Sequence, residues 1–205
     1  MRKFLRINVS SQSSGIGKTH AGEIIEKLLE KAMTDGQLMR APVTKIETSE
    51  IVRAKFDALH GTNTLGNMEE KNFLRDSLGD LASQMTIDTP TWQTKSTFAT
   101  LGHTITKGIR DPEGTQQMED GGAYLVRIYA SHSVIKNQLG LEAYEKYKTD
   151  PREHQLDDWG KWDYLAQNHW HTNQSAERKR ITSQGFEYRL EFIVRHMLEQ
   201  FDQGY

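Results

Sequence analysis

The chain has no cysteine among its 205 residues. Disulfide staples, thiolate nucleophiles and cysteine-held zinc are therefore excluded. It has no apolar run near the roughly 20 residues that a membrane-spanning helix needs. A surplus of positive charge is also missing: 26 Lys and Arg face 28 Asp and Glu, for a formal net charge of -2. Proteins that coat polyanions carry a basic excess, so nucleic acid is not the expected partner. Met1-Arg2-Lys3 leads into an apolar stretch that stops at Asn8, too short for a secretory leader. The expectation is a cytoplasmic protein. Hydrophobic residues make up only 36% of the chain, but they recur in periodic blocks that suffice for one core.

Those blocks predict a single α/β domain over residues 1–205. Phe4 to Val9 alternates as a strand, Ser10 to Gly17 is a loop of small residues, and Lys18 to Met33 turns helical. In that helix Ala21, Ile24, Ile25, Leu28 and Leu29 form one stripe. A second strand is expected at Val43 to Glu47, then a helix from an Ser49 cap to Leu59, and a mobile loop from His60 to Asn67. One helix is predicted over Glu69 to Met85, and another over Thr91 to Leu101 with Thr89 as cap and Pro90 in first position. Strands are expected at His103 to Ile109, Ala123 to Ala130 and Trp162 to Ala166, with a short helix at Pro112 to Asp120. Leu141 to Lys148 has helical character, residues 169–185 look like an insertion, and Phe186 to Phe201 closes the chain as a helix.

The most informative segment is Ser11-Gln12-Ser13-Ser14-Gly15-Ile16-Gly17-Lys18-Thr19. Gly-Lys-Thr at the start of a helix, after a strand and a small-residue loop, is the ending of a P-loop. Glycine permits the backbone angles that turn successive N–H groups toward one phosphate. The positive end of the helix adds to that field. Residues Ser13, Ser14, Gly15, Ile16, Gly17, Lys18, Thr19 and His20 are the expected phosphate-binding set. Lys18 would reach the β- and γ-phosphates of ATP, and Thr19 would ligate Mg²⁺. The first glycine of the full pattern is replaced by Gln12.

Three later segments extend the pattern: Leu74-Arg75-Asp76-Ser77-Leu78-Gly79-Asp80-Leu81 with Trp92; Gly108-Ile109-Arg110-Asp111-Pro112-Glu113 followed by Gly121-Gly122-Ala123-Tyr124-Leu125-Val126-Arg127-Ile128; and Trp162-Asp163-Tyr164-Leu165-Ala166-Gln167-Asn168. In this order and spacing, together with the loop at 11–19, they resemble the phage-type deoxynucleoside monophosphate kinases, a branch of the P-loop kinases. The resemblance implies a three-layer P-loop NTPase fold, a parallel sheet flanked by helices. It implies an acceptor region at 42–88, a lid insertion at 131–160, and phosphoryl transfer from ATP to a nucleoside monophosphate. It implies that Lys18, Arg75 and Arg110 are catalytic. Arg53, Arg75, Arg110 and Arg152 would meet the acceptor, with Lys136 or Lys146 as further lid cations. Position 108 departs from that family, which has Asp where this chain has Gly108.

Two other functions are compatible with these residues. A hydroxyl acceptor, on a small molecule or a modified nucleic-acid base, would need a carboxylate, with Asp111 or Asp57 as candidates. A non-catalytic nucleotide sensor would explain Gln12 and Gly108 as lost chemistry. The histidines His154, His169 and His171 fix no third ligand by spacing, so a metal centre there is not expected. Arg178-Lys179-Arg180 reads as a solvated helix start. A homodimer is the assembly left open.

Overall fold

The computed structural model describes residues 4–13, 16–109, 111–169 and 175–203. Five strands, β1 (Arg6–Ser11), β2 (Val43–Glu47), β3 (His103–Lys107), β4 (Tyr124–Tyr129) and β5 (Tyr164–Gln167), form one sheet. Their order is β2-β3-β1-β4-β5, and every neighbouring pair runs parallel. Parallel neighbours require crossovers, and here these are α-helices that cover both faces.

On one face α1 (Lys18–Thr34) and the closing helix α10 (Ala176–Asp202) lie side by side. Ala21, Ile25 and Leu29 of α1 and Phe186, Leu190, Ile193, Val194 and Met197 of α10 meet Leu5, Ile7, Val9, Tyr124, Val126 and Ile128 from the sheet. Fully burying one such aliphatic side chain stabilises the fold by about 1.5–3 kcal/mol. On the other face, α5 (Trp92–Ala99) and α6 (Pro112–Asp120) pack over β3 and β4. Met118 there contacts Ile109, Ala123 and Leu125. Strand β4 alternates accordingly, sending Leu125 to one face and its neighbours to the other. This is the three-layer P-loop arrangement that the sequence predicts, with β1 at the centre.

A third cluster lies apart from the sheet. Val52 and Phe56 of α2 (Thr48–His60) pack against Leu78 and Met85 of α4 (Arg75–Asp88), with Trp92 alongside. The segment between β4 and β5 holds α7 (His132–Leu139), α8 (Leu141–Thr149) and α9 (Pro151–His154). Val134, Ile135, Tyr144 and Tyr147 bring the first two into the main core. Arg127, on β4, donates to Leu156 O and to Asp157, so the end of this segment is tied to the sheet.

Several boundaries differ from the sequence expectation. The helix expected over 69–85 is two, α3 (Met68–Phe73) and α4, broken at Leu74. Phe73, expected on the apolar face, is 88% exposed. Ser49 is not a cap: it lies inside α2, whose N-cap is Glu47, and its hydroxyl donates to that carboxylate. Thr89 caps the C-terminus of α4, leaving Thr91 to precede α5. The closing helix, expected from Phe186, starts ten residues earlier: residues 176–185 are the first turns of α10, started by the Ser175 hydroxyl accepting from the Arg178 amide.

Candidate functional site

All five strands point their C-terminal ends to one edge, where α/β sheets place ligands at the switch in strand order. The chain leaves β1 at that edge and re-enters α1 at Lys18. Gly17 is the N-cap residue, with φ of 102°. That left-handed conformation is one that side chains resist, and a Cβ there would stand 3.0 Å from Asn168 Nδ2. Ser13 and Ile16 are both buried, and Ser14 and Gly15 between them lie outside the described residues.

Two neighbouring strand ends tether this loop. Asn168, just after β5, donates from Nδ2 to Ile16 O at 2.8 Å. At the end of β4 the Gln12 amide donates to Ile128 O at 2.9 Å, and the Gln12 side-chain oxygen accepts from the Ala130 amide at 3.3 Å. Position 12 thus has a structural task, binding the loop to β4, which a glycine could do only through its backbone.

Lys18 and Thr19 form the first turn of α1. Lys18 Nζ lies 3.7 Å from the point where a Cβ on Gly108 would stand. Gly108 has φ of 97°, and its Cβ would come within 2.5 Å of Thr48 Oγ1. A side chain at 108 is therefore opposed by both sterics and backbone conformation. A different carboxylate occupies the region. Glu47 ends β2 directly opposite Lys107 at the end of β3. Lys107 Nζ is 3.3 Å from Glu47 Oε2, and the lysine side chain is only 7% exposed. Desolvation works to raise the Glu47 pKa, but the charges of Lys107 and Lys18, with hydrogen bonds from Lys107 and Ser49, lower it below the ordinary value. Sequence reasoning missed Glu47 and Lys107 because neither belongs to a motif; their register partnership is what joins them.

His20 follows Thr19 in the first turns of α1. Its ring stacks on Phe186 of α10 at 6.3 Å between centroids and stands 3.9 Å from Glu23 and from Glu187. Beside it a cavity of about 470 Å³ opens, lined by Ser131, Val134, Gln167, Arg178, Phe186 and Arg189 among others. Phe186 is shared with the loop, since a Cβ on Gly17 would approach it at 4.0 Å.

The expected acceptor residues have the following partners. Arg53 is buried and its guanidinium donates to Ser49 O and Thr64 O. Arg75 begins α4 and pairs with Glu153 of α9 at 2.9 Å. Arg110 lies outside the described residues, as does the side chain of Arg152 in α9. Lys146 approaches Asp76 at 3.8 Å. The two carboxylates expected for a hydroxyl acceptor are both engaged. Asp111 is the N-cap of α6, accepting from the Gly114 amide, and also meets Gln93. Asp57 pins the loop after α2. Desolvation opposes its charge, yet bonds from Thr62, Thr64 and Leu65 pull its pKa down to about 2.

For a divalent cation, hard oxygen donors are required, and nucleotide phosphates commonly supply most of them. The Thr19 hydroxyl, exposed on the first turn of α1, suits that role. Among the described residues no group of three or more His, Asp or Glu side chains could hold a metal alone. His154 is committed to Asp157 and to Tyr147 O, and His171 lies outside the described residues. Among the described residues no helix is long and apolar enough to cross a membrane.

No protein-family model matches the chain. No curated protein matches it. Among solved structures the chain is similar to a shikimate kinase from Bacteroides thetaiotaomicron, at 14% identity and a TM-score of 0.44, over 97% of this chain and 98% of that one.

Proposed function

We propose that the chain is a P-loop phosphotransferase that moves the γ-phosphoryl group of ATP to a (deoxy)nucleoside monophosphate. The observation that carries this is the tethered turn at the start of α1. Gly17 in the left-handed region, the N-terminus of a 17-residue helix and Lys18 converge at the central strand's C-terminal end. Such a turn presents backbone N–H groups and an ammonium to one anion. The cavity against Phe186, beside the turn, suits the nucleoside part of the donor.

In this reading Lys18 neutralises charge on the β- and γ-phosphates as the bond between them loosens. Thr19 would hold Mg²⁺, which when bound supplies charge neutralisation between those phosphates. An acceptor phosphate oxygen attacks the γ-phosphorus while the bond to the β,γ-bridging oxygen breaks, leaving ADP. The nucleophile is already an anion, so no general base is needed. The acceptor would lie toward α2 and α4, where Arg75 would have to exchange Glu153 for the acceptor phosphate. Arg110, three residues beyond β3 in the sequence, would add charge there.

The test is ADP release from ATP against a panel of ribo- and deoxynucleoside monophosphates, with hydroxyl-bearing nucleosides alongside. At least one monophosphate should be turned over, and Lys18→Ala should lower kcat about 10²- to 10³-fold. Turnover with hydroxyl acceptors only would overturn the acceptor assignment. Full activity in Lys18→Ala would overturn the mechanism.

A further inference from the structure

The charged groups at the ends of β2 and β3 are an unusual set for a sheet edge. Two ammonium groups and one carboxylate share it, and the carboxylate stands between them electrostatically. Glu47 is fixed from several sides: by Lys107 at 3.3 Å, by the Ser49 hydroxyl at 3.1 Å, and by its place as N-cap of α2, at that helix's positive end. Lys107 has little freedom, because its side chain is buried against α1, with its Cδ 3.0 Å from where a Cβ on Gly22 would stand. Lys18 Nζ reaches the same edge, over Gly108, and its charge is felt at Glu47.

We propose that Glu47 and Lys107 act as a positioning pair for the Lys18 ammonium. Glu47 holds the ammonium at the sheet edge when no phosphate is bound. Lys107 keeps that carboxylate compensated once Lys18 turns to a phosphate, so the turn does not strand a half-buried negative charge. This rests on the reading of Lys18 as the phosphate-binding lysine, but on neither the acceptor nor the reaction.

The pair predicts opposite signs for two substitutions. Without Lys107, Glu47 has Lys18 as its main counter-charge and competes with phosphate for it. Removing Glu47 as well ends the competition. Lys107→Met should therefore raise the calorimetric Kd for ADP and for inorganic pyrophosphate by on the order of tenfold. The double variant Lys107→Met with Glu47→Gln should return it to within about threefold of the unaltered chain. Both variants lack the buried lysine, so neither leaves that cation without its partner, and circular dichroism melting should show both folded. In the double variant kcat should stay depressed while affinity recovers, since Lys18 has lost its guide. A purely structural role would weaken binding further in the double variant, and that result overturns the proposal. If the unaltered chain binds neither ADP nor pyrophosphate, the phosphate-binding reading and this proposal both fall. If it binds them with the predicted pattern but transfers no phosphoryl group, only the proposed reaction falls.

Discussion

Single residues at the two edges of the sheet answer to constraints that the linear motif does not show. His103 is one. It is fully buried, accepts from the Leu5 amide through Nδ1 and lies 2.9 Å from Met39 O through Nε2. That pattern needs the neutral ring protonated on Nε2. Desolvation lowers its pKa from 6.5, the bond to Met39 opposes the shift, and Arg6 adds to it. A histidine depressed in the fold binds protons more readily when unfolded. Its contribution to stability is therefore complete above 6.5 and declines as pH falls through the folded value, by up to about 1.4 kcal/mol per pH unit. His154 works in the opposite sense, its pKa raised chiefly by the hydrogen bond to Asp157. Melting curves between pH 7 and 5.5 should therefore show a shallower loss in His103→Gln than in the unaltered chain. Equal slopes would refute the neutral-ring assignment. Gly108 is the second case. Gly108→Asp would restore the carboxylate of the kinase pattern, yet it forces a side chain onto φ of 97° and against Thr48. It should destabilise the chain by about 1–3 kcal/mol, read as a lower denaturation midpoint. An unchanged midpoint would remove the steric explanation for glycine at that position.

At the scale of elements, what was legible in the sequence was what is encoded locally. Strand β2 and helix α6 have the expected boundaries. The second of these follows from Asp111 as cap, Pro112 at the first position and Gly121-Gly122 beyond the end. The turn from β1 into α1 was legible for the same reason, since glycines, lysine and threonine are adjacent in sequence. The first turns of α10 were missed because Glu177, Arg178, Lys179 and Arg180 offer no apolar stripe, and the helix there starts from the Ser175 cap. The break between α3 and α4 leaves Phe73 in solvent, where periodicity alone placed it inside. The Glu47–Lys107 pair was not legible at all. It joins residues 60 positions apart through the parallel register of β2 and β3, which no single-sequence pattern carries. Arg53 was legible as a cation near the acceptor region, but not as a residue whose guanidinium is spent on a carbonyl of its own helix and one of the loop that follows.

Across the whole molecule, the candidate site draws on distant parts of the chain. The loop after β1, the ends of β2, β3 and β5, and the first half of α10 all contribute. A ligand that touches such separate segments should stabilise the fold as a unit. At a concentration of 100 Kd, nucleotide binding contributes about 2.7 kcal/mol, which for a domain of this size is a Tm increase of roughly 5–11 °C. ATP or ADP with Mg²⁺ should produce that shift in a thermal melt, and Lys18→Ala should reduce it. A flat response to every nucleoside polyphosphate would mean that the turn at Gly17 is a structural turn only.

The small residue Gly22 has reach beyond its own helix. It sits in the second turn of α1, carries no chemistry, and leaves the gap through which the stem of Lys107 passes. Helix and sheet are thus keyed together by an aliphatic chain whose far end is a charge. Any movement of α1 across the sheet would drag that charge along the edge, so the packing of one apolar face sets the electrostatics of the phosphate-facing rim.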